Sequence, residues 1–148
     1  MISIVHLINN TSQQFEGSIF NGLASKVIEA EFGKKVDSEF SELEIGLILC
    51  DGEMIREMNR KFRGNDSKTD VLSFTGEYPS LPQLGDIIID IEQAFAQKGN
   101  MSLSYEIQTL FLHGLLHILG YDHISHQQQL VMQEKEKLYK KFIKEICR

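Results

Sequence analysis

Three histidines set the chemistry open to this chain. His113 and His117 are four residues apart, and His123 follows six later. Positions four apart on a helix project from one face, one turn above the other. Gly120 lies between the second and third, and glycine ends a helix at little steric cost because it takes the left-handed conformation. The reversal it permits returns His123 toward the first pair. A lone histidine is usually a satisfied surface or core residue, but here three of the chain's 5 histidines share one pattern. Neutral imidazoles converging from a helix and the turn after it make an open zinc site, since catalytic zinc holds three protein ligands and leaves a position for water. One zinc per chain is the expected cofactor, and other divalent transition metals suit the same ligands. Such a metal acidifies water and polarises phosphoryl oxygen, so the pattern implies a metal-dependent hydrolase.

The offsets 0, +4 and +10 with glycine at +7 are those of the metzincin metalloproteases, H-E-x-x-H-x-x-G-x-x-H. Where those enzymes carry a glutamate base, this chain has Gly114. A peptidase without that glutamate lacks its proton acceptor. The full run His113-Gly114-Leu115-Leu116-His117-Ile118-Leu119-Gly120-Tyr121-Asp122-His123 resembles the H-G-x-L-H-x-x-G-Y-D-H motif of the bacterial YbeY family. Two further matches stand upstream in family order: Met58 to Gly64 with Thr69 to Phe74, and Gly85-Asp86-Ile87. The resemblance covers the whole chain. It implies a metal-dependent, single-strand-specific endoribonuclease acting in ribosomal RNA maturation, including the 16S 3′ end, and in ribosome quality control. Single-stranded RNA, ribosomal RNA above all, and the ribosome or its proteins are the implied partners.

Phosphodiester cleavage also needs positive charge near the developing phosphorane. Arg63 closes a basic helix and matches the arginine after the aromatic in the family's second motif. A guanidinium grips phosphate oxygens bidentately, which an ammonium cannot. Arg63 and His113 are therefore the catalytic candidates, and His113, His117 and His123 the metal ligands. Arg60 and Ser73 are candidates for substrate binding. Phe74 belongs to the core or offers a face to a base. Asp122 either orients a ligand histidine or shapes the turn. No base is evident beside the histidines, so a 2′-hydroxyl and a water both remain open as nucleophile.

Several elements must position these groups. Ile2 to Ile8 and Glu42 to Cys50 read as strands, with an amphipathic helix from Ser12 to Phe32 between them. That order favours a parallel pair with a right-handed crossover. His6 falls on the first strand as a structural or edge residue. Asp51 is a plausible cap for a helix that turns Met54, Ile55, Met58 and Phe62 inward. Val71 to Thr75 and Asp86 to Ile91 are two more strands, joined too closely for a helical crossover and so antiparallel. Their connection holds Pro79 and Pro82. A short helix from Ile91 to Lys98 precedes the histidine helix, Tyr105 to Leu119. A last helix, Gln127 to Cys147, carries Leu130, Glu134, Leu138, Phe142 and Ile146 in register. The expected fold is α+β, one domain over residues 1–148, with a four-stranded mixed sheet, about five helices and a metzincin-like metal helix.

The composition is that of an ordinary folded domain, with 42% hydrophobic and 24% charged residues. No apolar run reaches the ~20 residues that span a bilayer, and no signal peptide is apparent, so the cytoplasm is the expected compartment. Cys50 and Cys147 are too few for a disulfide framework. A net charge of −6 argues at first against nucleic acid. Yet Arg56, Arg60, Lys61, Arg63 and Lys68 cluster, as do Lys135, Lys137, Lys140, Lys141, Lys144 and Arg148. Such clusters form either a basic groove or solvated helix faces, and the glutamates interleaved in the second favour the latter there. The competing functions are a peptidase-like metallohydrolase and a non-catalytic ribosome assembly factor with a structural metal.

Overall fold

A computed structural model of the chain describes residues 2–33, 42–76 and 83–143. Its frame is a four-stranded sheet in the order β1-β2-β4-β3. Strand β1 (Ile2–Asn9) pairs in parallel with β2 (Glu42–Cys50), which pairs in parallel with β4 (Gln83–Asp90). Strand β3 (Val71–Thr75) lies antiparallel on β4 and forms one edge. The parallel and antiparallel expectations both hold. The connection between β3 and β4, with Pro79 and Pro82, lies outside the described residues.

Alternation along the strands divides the interior in two. On one face Leu43, Ile45, Leu47, Leu49, Ile87 and Ile89 join the main core. Helices α1 (Gly17–Phe32) and α4 (Leu103–Ile118) cover that face with Phe20, Leu23, Val27, Phe111, Leu112 and Leu115. On the other face Cys50, Leu72 and Ile88 meet Ile55 of α2 (Gly52–Arg63). Asp51 caps α2, its carboxylate accepting from the Met54 N–H at 3.0 Å. Helix α3 (Ile91–Gln97) follows β4 directly, capped by the Asp90 carboxylate. Helix α5 (His126–Tyr139) continues into a 3-10 turn over Lys140–Phe142. The fold is α+β, a single domain of five helices around a mixed sheet, as expected. Among the described residues no helix is long and apolar enough to cross a membrane.

Three expectations need correction. Helix α1 starts at Gly17 rather than Ser12, because Asn9, Thr11 and Gln13 bond with one another in a local turn that competes with helix. Phe62 does not turn inward: it is 55% exposed and stands edge-on to Phe74. Helix α5 is rotated from the predicted register. Met132 and Tyr139 are buried, whereas Leu130 and Leu138 are each about half exposed. A capping box between Ser125 and Gln128 fixes where α5 begins, and contacts of Lys135 with α1 and of Glu136 with α4 fix which side faces in. The helix ends at Tyr139, and Ile146 with the rest of 144–148 lies outside the described residues.

Candidate metal centre and cleft

Helix α4 carries His113 and His117 on its last two turns, and ends where the sequence says it must. Gly120, at φ 110°, donates to the His117 carbonyl at 3.0 Å, and Tyr121 donates to the Leu116 carbonyl at 3.0 Å. These are the paired bonds of a Schellman stop. The chain reverses there, and His123 comes back beside the helix, its ring centroid 4.8 Å from that of His117 and 5.8 Å from that of His113. Asp122 shapes this turn by accepting from the His123 N–H at 2.7 Å. From α5, the Gln129 amide donates to the His123 carbonyl at 3.1 Å. One ring nitrogen from each histidine lies within 4.8 Å of the other two. His126 stands outside this group.

The geometry fits a metal. The Nε2 atoms of His113 and His117 are 3.2 Å apart. Tetrahedral nitrogens at the usual ~2.0–2.1 Å from zinc sit about 3.4 Å from one another. The outer nitrogens are already engaged: His113 Nδ1 lies 3.2 Å from the Glu136 carboxylate, and the His117 ring bonds to the Tyr121 backbone. Assigning protons to those outer bonds turns two lone pairs toward one point, an arrangement a cation stabilises. Burial, then the neighbouring His113 and His123, holds the His117 imidazole below its ordinary range and keeps it neutral. Burial alone would raise the Glu136 carboxyl, but its bond with His113 prevails and leaves it below the usual range.

The histidines stand on the wall of a cleft of about 650 Å³ that is also lined by Arg63, Asp70, Leu72 and Ser73. Edge strand β3 also borders it, through Val71 to Ser73 and Thr75. Arg63, the last residue of α2, donates to the Ser73 carbonyl and lies over the Phe74 ring at 4.9 Å. Two of the sequence candidates, Arg63 and Ser73, are thus brought together with the histidines. Arg63 does not pair with Asp66, which is taken by Arg56 at 2.8 Å. Arg60 bonds to Glu57 on the exposed side of α2 and is not among the cleft-lining residues. Phe74 is half-buried at the rim of the smaller core. Of the family-motif carboxylates, Asp70 lines the cleft and accepts from Gln97 at 3.1 Å. Asp86 lies against Gly46 of the neighbouring strand, on the same sheet face as Ile88 and so away from α4.

Gly114 has a packing reason. A Cβ there would come within 2.9 Å of the Ile87 side chain on β4. The position where a metzincin holds its base is here the contact that seats α4 on the sheet.

Sequence reasoning missed two supports, both centred on α5. Glu136 faces His113. Glu31, near the end of α1, accepts from Tyr121 Oη at 2.6 Å, from Lys135 Nζ at 2.8 Å and from Tyr139 Oη. The signal was present as Met132, Lys135, Glu136 and Tyr139, spaced 0, 3, 4 and 7. Two charges in its middle hid that stripe from a hydrophobic reading.

Fold and site together define an α+β protein with an open three-histidine centre set in a cleft. The family model for endoribonuclease YbeY matches residues 7–144. The endoribonuclease YbeY of Nautilia profundicola is 41% identical over 121 residues, covering 72% of this chain and 86% of that one. The endoribonuclease YbeY of Desulforamulus reducens is 36% identical over 142 residues, covering 88% and 91%. The solution structure of TM1509 from Thermotoga maritima superposes with a TM-score of 0.56 at 26% identity, covering 94% and 88%. The chain belongs to the endoribonuclease YbeY family.

Proposed function

We propose that this chain is a metal-dependent endoribonuclease that cuts single-stranded RNA, with ribosomal RNA in the cytoplasm as its target and the ribosome or its proteins as partners. The observation that carries the proposal is the convergence of three imidazole nitrogens within 4.8 Å of one another in a cleft that Arg63 also lines. In this reading His113, His117 and His123 hold the metal, and residues 1–148 act as one metallohydrolase domain. When bound, zinc or a comparable divalent ion supplies Lewis acidity toward a phosphoryl oxygen and lowers the pKa of a water from 15.7 to about 7. Arg63 presents guanidinium N–H donors to the phosphate, its plane fixed by the Ser73 carbonyl and the Phe74 ring. Ser73 borders the path of the strand, and the edge of β3 leaves that path open on one side. The contact between Gly114 and Ile87 disfavours a peptidase, since it leaves no room for a base at that position.

The test is cleavage of a 5′-labelled unstructured RNA by zinc-loaded protein. Parallel reactions contain EDTA, His117→Ala protein, or a duplex of the same sequence. The proposal expects cuts in the single strand alone, abolished by EDTA and by the substitution. It fails if the single strand stays intact with every divalent metal tried, or if the variant cuts as well as the parent. A 2′,3′-cyclic phosphate end would mark the adjacent 2′-hydroxyl as nucleophile, and a 5′-phosphate would mark water.

A further inference from the structure

Helix α5 contributes no ligand to the histidine centre, yet it places a carboxylate behind it. We propose that Glu136 is a positioning residue: its carboxylate accepts the Nδ1 proton of His113 and so turns the His113 Nε2 lone pair toward His117 and His123. The inference rests on reading the three histidines as metal ligands. His113 Nδ1 and Glu136 Oε1 are 3.2 Å apart, and both side chains are mostly buried, 29% and 22% exposed. An ionised carboxylate only accepts, so the proton of that bond belongs to the imidazole. The opposite ring nitrogen is then bare, and it is the one that faces His117 Nε2 at 3.2 Å. Without Glu136 a neutral imidazole is free to carry its proton on Nε2, where it would point into the centre and block coordination.

The carboxylate is held by the way α5 packs. Met132, one turn before Glu136, and Tyr139, three residues after it, are 1% and 2% exposed. Between them Lys135 is tied to Glu31 of α1 at 2.8 Å. The helix therefore cannot rotate to withdraw Glu136 without breaking a buried contact on each side. Carboxylate partners of ligand histidines generally fix the tautomer and raise metal affinity.

The experiment measures zinc affinity by competition with a chromophoric chelator for the parent, Glu136→Gln, Glu136→Asp and His117→Ala proteins. His113 tautomers are read in the metal-free proteins by long-range 1H–15N spectra near pH 8, where imidazoles are neutral (ordinary pKa about 6.5). The parent should show His113 as the Nδ1–H tautomer. Glu136→Gln, near-isosteric and able to donate instead of accept, should shift it toward Nε2–H. The same change should weaken zinc binding by about 10- to 100-fold, and Glu136→Asp should recover part of the loss. Parent-like affinity and tautomer in Glu136→Gln would overturn the proposal. If His117→Ala also binds zinc like the parent, the metal assignment itself is at fault, a distinct outcome.

Discussion

At the scale of single residues, the site is made by side chains that agree on where a shared point lies, and by one position that must carry no side chain. His117 is a half-buried ligand candidate, neutral because of burial and of its two neighbours. Replacing it with alanine leaves two nitrogens for a metal that needs at least three from the protein. Zinc at a hundred times its dissociation constant stabilises a folded protein by about 2.7 kcal/mol. The parent should therefore melt several degrees higher with zinc than with EDTA, whereas His117→Ala should melt at one temperature in both. Gly114 gives a test whose sign decides. Glycine to alanine inside a helix gains up to about 1 kcal/mol from propensity alone. The 2.9 Å approach to Ile87 opposes this, and overpacking a core contact usually costs about 1–3 kcal/mol. Urea denaturation of metal-free Gly114→Ala should show a net loss of about 1 kcal/mol. A net gain would mean that α4 is not seated through this contact.

At the scale of elements, Glu136 ties α5 to the histidine helix, and α5 meets α1 and the motif turn at the carboxylate of Glu31. Burial alone would raise the Glu31 carboxyl, but hydrogen bonds from Lys135, Tyr121 and Tyr139 outweigh it and hold it below the usual range. A group whose folded pKa is depressed stabilises the fold above its unfolded value and loses that effect as pH falls through the folded one. Glu31→Gln should accordingly be less stable than the parent by about 1.5–3 kcal/mol at neutral pH, the range for bonds to a charged group. The difference should vanish in acid, once the parent's carboxyl is protonated. Equal destabilisation at both extremes would assign the loss to packing instead. This hub was not legible in the sequence, because Glu31 lies 90 to 108 residues from its partners along the chain. What was legible depends on local rules: alternation in β2, the Asp51 cap, and the stop at Gly120 each need only a few neighbouring residues. The register of α5 failed for the complementary reason. Its inward face is chosen by partners on other helices, so Lys135 and Glu136 face in while Leu130 and Leu138 face out.

At the scale of the whole molecule, an acidic protein must take hold of an acidic polymer. The cluster of basic residues around α2 suggests a broad cationic surface, but most of it is already neutralised. Arg56 pairs with Asp66, Arg60 with Glu57, and Lys68 approaches Glu53 at 3.6 Å. Among the described residues that line the cleft, Arg63 is the one lysine or arginine. The protein should therefore grip RNA through its centre and this guanidinium, with little help from a general electrostatic field. Salt separates the two cases. For single strands, log K falls against log salt with a slope of about −0.7 for each phosphate neutralised. Measured on metal-loaded protein and a short unstructured RNA, in metal-free His117→Ala as control, the slope should be shallow, between about −0.7 and −2. Arg63→Ala should reduce its magnitude by about 0.7, whereas Arg60→Ala should leave it within error. A steep slope that Arg63→Ala hardly changes would mean that the paired arginines exchange their carboxylates for phosphate, making the exposed side of α2 part of the RNA path.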